Sequence, residues 1–185
     1  MNDTITYPAE RITGHNPFNN ANLASKEETS ISEDFYLRYL FQELNRMRMT
    51  GTFCDCILTT SDGAFFRVHK VVMALCSDYF RTLFTTPLVG KMHGDVEDQR
   101  KLYHIPNVSS SSLEAIINFA YSDVVQINND NVNELLPAAD QFNVKCVVNE
   151  CVDFLLRNIT AENCVGIWRF GNEYYIPNLE KEARK

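Results

Sequence analysis

Asp55 and His69 are the first residues of this chain whose types could do chemistry together, since a carboxylate that orients an imidazole is the working half of a nucleophilic triad. The rest of such a site cannot be read: no nucleophile is paired with them, and nothing marks a cleft. A G-x-S-x-G elbow, a Gly-rich phosphate loop and a paired-carboxylate constellation are equally missing from the sequence. Six cysteines stand at positions 54, 56, 76, 146, 151 and 164, without a C-x-x-C pair or the Cys/His spacing of a zinc site. On a strand Cys54 and Cys56 would point to one face about 7 Å apart, with no second pair nearby in sequence to complete a tetrahedron. Reduced, buried thiols are therefore predicted. A redox role for Cys146 rests only on adjacency to Lys145, and neighbours on a helix do not face one another. The residues predict no catalytic group, no metal ligand, no cofactor and no enzyme.

The elements that must hold Asp55 and His69 follow one another between Phe53 and Phe84. Phe53 to Thr59 is apolar on both alternating faces, Phe53 and Ile57 on one and Cys54, Cys56 and Leu58 on the other. That pattern predicts a strand covered on both sides, broken only by Asp55. An ionised carboxylate buried there would cost on the order of several kcal/mol unless it is paired, with His69, Arg67 and free backbone N–H groups as the available donors. Ser61-Asp62-Gly63 predicts a turn with Gly63 at positive φ, and Ala64 to Val68 the returning strand of a hairpin. Beyond His69, Val71, Val72 and Leu75 recur at helical spacing. After a break near Ser77, so do Tyr79, Phe80, Leu83 and Phe84, which predicts two short helices packed on the hairpin.

The 185-residue chain is 45% hydrophobic, ordinary for a packed core, and carries a formal net charge of −7. No Lys/Arg cluster exceeds the pair Arg100-Lys101, which argues against nucleic acid and against anionic membrane surfaces as partners. With no signal peptide and no bilayer-length apolar run, the chain is expected in the cytosol or nucleus, cytoplasmic being the first expectation.

Residues 1–30 are rich in Asn, Thr, Ser and Ala, hold Pro8, Gly14 and Pro17, and show no period, so a disordered arm is predicted. Ser30 and Glu33 are spaced as a capping box for a helix running to about Met49 and stopped at Thr50-Gly51. On it Tyr36, Leu37, Leu40, Phe41, Leu44 and Met47 form an apolar stripe about 140° wide, and Phe35 and Tyr39 extend a further flank. One core cannot easily use all of that. Thr85 to Arg100 reads as a surface loop, Lys101 to Ile105 as a third strand joined by a crossover. Ser109 to Ser112 offers N-caps, with Ser111 and Glu114 spaced as a capping box, ahead of Leu113, Ile116, Ile117, Ala120 and Tyr121 on one helical face. Phosphorylation of that serine run is the alternative to capping.

From Asn128 the chain is predicted helical throughout. Asn128 caps a helix from Asp130 to about Asn143, bent at Pro137, with Val132, Leu135, Leu136, Ala139 and Phe142 inward. Val144, Val147, Val148, Cys151 and Leu155 mark an antiparallel partner ending near Asn158. Thr160 caps a third helix holding Cys164, Ile167, Trp168 and Gly171, and Pro177 opens a fourth.

CDCIL, then FRVHKVVMALCSDYFRTLF, resembles the core of a BTB/POZ domain in residue type and spacing across about thirty positions. NV-x-x-LLPAADQFNV, CVDFLL and ENCVGIWRFGNEYYIPNL resemble the end of such a domain running into the 3-box, the helix pair that opens the BACK domain of kelch-like proteins. The resemblance implies an α+β, mostly helical fold: a small three-stranded sheet capped by helices over residues 31–158, then a helical 3-box over 159–185. It implies a homodimer through the first helix, with Phe35, Tyr36, Tyr39 and Leu40 at the interface, and a substrate adaptor of a cullin-3 ubiquitin ligase. By position the cullin-3 N-terminal domain would meet Tyr79, Leu83, Leu88, Phe142, Asn143 and Val144, with Trp168, Tyr174 and Tyr175 lining a groove in the 3-box. Each could instead be core. The hydrophobic-x-Glu motif of cullin-binding relatives is absent at Leu88-Val89-Gly90, and Val96-Glu97-Asp98 is the other place it could be met. Substrate would be held by a kelch propeller not contained here. The alternative implied is a transcriptional repressor whose BTB dimer recruits a corepressor.

Overall fold

Helix α1, Glu33–Thr50, stops at Gly51, whose φ of +75° lets the chain turn back on the helix end. Gly51 N–H donates to the Arg48 carbonyl at 3.0 Å and Thr52 N–H to that of Met47 at 2.8 Å. A computed structural model describes residues 33–86, 91–92 and 101–184, with side chains from Tyr36 onward in α1. The arm, the Ser30 cap, the Phe35 side chain, Leu88-Val89-Gly90 and Val96-Glu97-Asp98 lie outside the described residues.

The exit from α1 shifts the first strand. Phe53 takes φ +57° and is 80% exposed, so β1 begins at Cys56 and runs Cys56–Thr60 rather than from Phe53. Asp55 is consequently exposed rather than buried in a strand, and its Oδ1 accepts the Lys70 N–H at 2.8 Å. Within β1 both faces are covered as predicted, Cys56 and Leu58 fully and Ile57 nearly so. Gly63, at φ +86°, turns the chain into β2, Phe65–Val68, antiparallel to β1 with Leu58 opposite Phe66.

Helices α2, Lys70–Cys76, and α3, Asp78–Thr85, carry the chain across to a strand parallel to β1. That crossover strand, Lys101–Ile105, is β4, because a two-residue strand β3, Lys91–Met92, pairs antiparallel to it from the segment read as loop. The sheet order is β2-β1-β4-β3. The α+β, mostly helical fold stands, with β3 an addition at the sheet edge.

Helix α4, Ser110–Ser122, buries Leu113, Ile116, Ile117, Ala120 and Tyr121 as its period required. Its cap is Ser109, whose Oγ accepts the Ser112 N–H at 3.4 Å, not the Ser111/Glu114 pair. The start is pulled forward because Asp62 of the hairpin turn accepts the Ser110 N–H at 3.1 Å. Hydrogen bonds from the Thr60 hydroxyl and from Ser110 hold the Asp62 carboxyl well below the usual carboxylate range.

Four further helices follow: α5, Val132–Gln141; α6, Lys145–Arg157; α7, Cys164–Glu173; and α8, Pro177–Ala183. Helix α5 starts two residues later than predicted, because the Asn128 carboxamide accepts the N–H groups of Asp130 and Asn131 and holds them in a turn. Pro137 lies inside α5 without ending it. Thr160 does not cap α7, which Asn163 precedes instead.

The two pairs, α5–α6 and α7–α8, share the placing of their first helices and corners at a spacing of 32, although α6 runs 13 residues and α8 seven. Asn131 Oδ1 accepts the N–H of Asn128 at 2.9 Å and its Nδ2 reaches the Gln126 carbonyl at 2.8 Å. Asn163 repeats both bonds, to Thr160 at 2.7 Å and Asn158 at 2.8 Å. Asn143 and Tyr175 turn the two corners at φ +55° and +52°. Val144 N–H then returns to the Ala139 carbonyl at 2.9 Å, and Ile176 N–H to that of Gly171 at 2.7 Å. Helical periodicity marks the four helices without showing their duplication, although Ile127/Ile159, Asn131/Asn163 and Phe142/Tyr174 carry the period.

Candidate protein interaction sites

His69 is spent on structure. Its backbone N–H donates to the Tyr121 Oη at 2.8 Å, and the same hydroxyl lies 2.9 Å from Nδ1. Nε2 lies 2.9 Å from the Thr52 carbonyl, which can only accept, so Nε2 carries the proton and Nδ1 accepts from Tyr121. Cys54 Sγ sits 3.8 Å from Nε2, a nitrogen already occupied as a donor. Asp55 meanwhile serves the N-terminus of α2, so Asp55 and His69 work apart and form no dyad. Burial holds the Tyr121 phenol above the ordinary tyrosine value, keeping it a donor. Tyr121→Phe strands a buried backbone N–H and a ring nitrogen together and is expected to remove about 2 kcal/mol of stability in urea unfolding. A loss under about 0.5 kcal/mol would mean the network holds nothing.

The α1 face divides along its length. Towards its C-terminus Leu44 packs on the core, Arg48 Nη2 donates to Asn118 Oδ1 at 2.9 Å, and the Arg48 guanidinium lies 5.1 Å from the Tyr121 ring centre. Towards the N-terminus the stripe is uncovered: Tyr36 and Leu37 are each 51% exposed, Phe41 41% and Leu40 37%. Tyr39 is half-buried. The free surface is thus the stripe itself, including Leu37 and Phe41, more than the flank around Tyr39. On α2, Val72 and Met73 point inward, whereas Val71 and Leu75, predicted to pack on the hairpin, are exposed one helical turn apart. Both α1 and α2 pack on α4.

A second surface gathers around the α3 and α5–α6 corner. The Tyr79 ring is half-buried, 5.1 Å from that of Phe142 and 5.3 Å from that of Phe80, and Leu83 is half-buried further along α3. Phe142 and Val144 are core, shielded from any partner, so of the three predicted corner residues only Asn143 is presented outward. The signal for that inversion was the αL turn, which rotates Asn143 away from its neighbours.

The α7–α8 pair carries the remaining aromatics; α8 packs on α6, and Ile167 of α7 joins the hydrophobic core. Trp168 is half-buried with the Arg184 guanidinium 5.4 Å from its ring centre, and Arg184 is held by Glu180 at 2.7 Å. The Trp168 indole N–H is buried without a partner among the described residues. Tyr174 is half-buried with its ring 4.6 Å from that of Phe170, while Tyr175 is 90% exposed. An L residue other than Gly or Asn at φ +52° costs on the order of 1 kcal/mol. The fold gains little from so exposed a ring in return.

A small sheet clamped by helix pairs, with apolar and aromatic side chains left open on α1, α2 and α7–α8, is the build of a protein–protein interaction module. The chain belongs to the BTB/POZ domain family, whose profile matches residues 44–159. It is similar to kelch-like protein 28 of Mus musculus, 38% identical over 146 residues, 79% of this chain and 24% of that protein. Kelch-like protein 23 of Homo sapiens is 32% identical over 137 residues, 74% of this chain and 23% of the relative. Among solved structures, the BTB domain of zebrafish PATZ1 shares the fold, with a TM-score of 0.59 and 24% identity over 70% of this chain and 99% of its own. The chain spans about a quarter of the length of the curated relatives it matches. No helix among the described residues is long and apolar enough to cross a membrane.

Proposed function

We propose that this chain is the BTB and 3-box part of a kelch-like substrate adaptor for a cullin-3 RING ubiquitin ligase. It would homodimerise through α1 and grip the cullin-3 N-terminal domain with Tyr79, Leu83, Asn143 and the α7–α8 aromatics. The observation that carries the reading is the second helix pair, α7–α8, which repeats the start and corner of α5–α6 and carries an exposed, strained Tyr175 at that corner. The likeness to kelch-like proteins 28 and 23 supports it, since the match to each covers about three quarters of this chain. The work is proximity rather than bond-making: a substrate held by a kelch propeller outside these residues is raised in effective concentration beside the ubiquitin-conjugating enzyme. Cytoplasmic placement goes with that role. Within the group, the wording of ADQFNV, NCVGI and YY-x-P-x-L resembles kelch-like protein ten, the testis member, and a part in sperm formation is the finer proposal.

A BTB dimer recruiting a corepressor would use the same α1 face and is compatible with the PATZ1 likeness, but it has no use for α7–α8. Calorimetry with the cullin-3 N-terminal domain separates the two. Binding is expected, weakened about tenfold by Tyr175→Ala, the loss of one aromatic anchor. No heat at tens of micromolar protein removes the adaptor reading.

Pairing is tested apart from that. Light scattering is expected to give about twice the chain mass of 21.2 kDa, and Leu40→Asp with Phe41→Asp is expected to halve it by placing charge in the apolar face. A wild-type mass of one chain excludes the dimer.

A further inference from the structure

We infer that Ser77 is a positioning residue for the cullin-facing surface, the hydroxyl that locks the α5–α6 corner to the start of α3. The inference rests on the adaptor reading and adds to it a device that sets the surface's shape. Ser77 is only 2% exposed and links α2 to α3 in extended conformation, at φ −150° and ψ 126°. Its hydroxyl faces two ways. The oxygen accepts the Phe80 N–H at 3.3 Å and so caps α3, while the O–H donates to the Phe142 carbonyl, 65 residues further on.

That carbonyl is no ordinary acceptor. It stands at the end of α5, where the last carbonyls have no helical partner, in a residue with no exposure to water. Immediately after it Asn143 enters the left-handed region and Val144 opens α6. The Phe142 ring in turn wedges between those of Tyr79 and Phe80, at 5.1 and 4.9 Å. One hydroxyl therefore fixes where Asn143 stands relative to Tyr79, and these are the outward residues of the proposed surface from two separate elements. Capping α3 needs only an acceptor. The corner needs a donor as well, a pairing that a small buried hydroxyl supplies and that neither alanine nor glycine does.

The test compares wild type, Ser77→Ala, Ser77→Thr and Ser77→Gly, the last because glycine keeps most of the N-cap preference and folds if the alanine variant does not. Cullin-3 N-terminal domain affinity is measured by calorimetry well below each melting temperature, with light scattering for the dimer and amide exchange on the free protein. Ser77→Ala and Ser77→Gly are expected to bind at least tenfold more weakly, to keep the wild-type mass, and to exchange at least tenfold faster at Asn143 and Val144 but not in β1. Ser77→Thr is expected to restore both. A purely structural role would lower the melting temperature and leave affinity unchanged, and that result overturns the inference. So does unchanged exchange at the corner. Wild-type protein that fails to bind overturns the adaptor reading instead, and the exchange comparison then decides whether Ser77 sets the corner at all.

Discussion

Raising the pH from 8.5 to 10.5 is expected to remove about 4 kcal/mol of folding stability. The groups responsible are thiols. Cys56 and Cys151 have no exposure to water, and burial pushes each up to about 12, helped in Cys56 by the neighbouring Asp55 charge and in Cys151 by Glu150. In the unfolded chain both ionise near the ordinary value of about 9. The sign follows directly: between those limits the unfolded state has shed a proton that the native state still holds. Each thiol therefore costs the fold about 1.4 kcal/mol per pH unit from about pH 9 upward, and nothing below. Tyr121, also raised, adds in the same direction above its ordinary value of about 10. Cys76, raised by burial to about 11 but only half-buried, adds a smaller part. Urea unfolding under reducing conditions at pH 8.0, 9.5 and 10.5 reads the slope. In Cys56→Ala with Cys151→Ala the protein starts less stable, but its alkaline limb is expected to be clearly flatter. Parallel limbs in variant and wild type would show that the thiols are not the cause.

The thiols illustrate what could be read from residue order and what could not. Burial holds for Cys54, Cys56 and Cys151, whereas Cys76 and Cys164 are half-buried and Cys146 is exposed. The hairpin turn at Gly63, the helix break at Ser77 and the inward faces of α4, α5 and α6 are legible from spacing. These depend on residues within a few positions of one another, and periodicity reports them. Phe53 lies outside the strand that its pattern predicts, because an apolar residue beside a strand looks the same whether it enters the sheet or is thrown outward by a helix end. Val71 and Leu75 are exposed for a similar reason, since helical spacing marks a face without saying what covers it. The bonds that set element boundaries lay beyond local reading altogether. Asp62 moves the start of α4 across 48 residues and Ser77 holds the α5–α6 corner across 65, and neither donor-acceptor pair has a sequence signature. Of the proposed surface, Tyr79, Asn143 and Tyr175 were legible as positions. Their separation from Phe142 and Val144 needed the backbone turn.

Gly171→Val is expected to release α8 while leaving the sheet and α1–α6 folded. A Cβ at Gly171 would stand 2.9 Å from the Glu180 nitrogen and 2.9 Å from Leu179 Cβ, closer than real contacts of that kind come. Both obstacles belong to the first turns of α8, so the only relief is for the helix to move. The equivalent position in α5 is Ala139, fully buried, so the first pair accommodates a methyl group that the second excludes. Alanine at 171 gains about 1 kcal/mol of helix propensity and pays 1–3 kcal/mol of overpacking, roughly, leaving a small net loss. Valine adds two methyl groups and forfeits much of the propensity gain, and about 3 kcal/mol of local stability is expected to go. Since α8 buries Leu179 completely and its C-terminal Arg184 lies over the Trp168 ring, its release should expose both. Faster amide exchange confined to α8, tryptic cleavage at Lys181 and a shifted Trp168 fluorescence are the expected readouts, with alanine intermediate. On the adaptor reading, cullin-3 affinity falls in step while the dimer mass holds, because α1 is not part of this contact. Wild-type exchange in α8 of the valine variant would mean that the two helices tolerate a wider separation, and that the close approach at Gly171 does not hold the pair together.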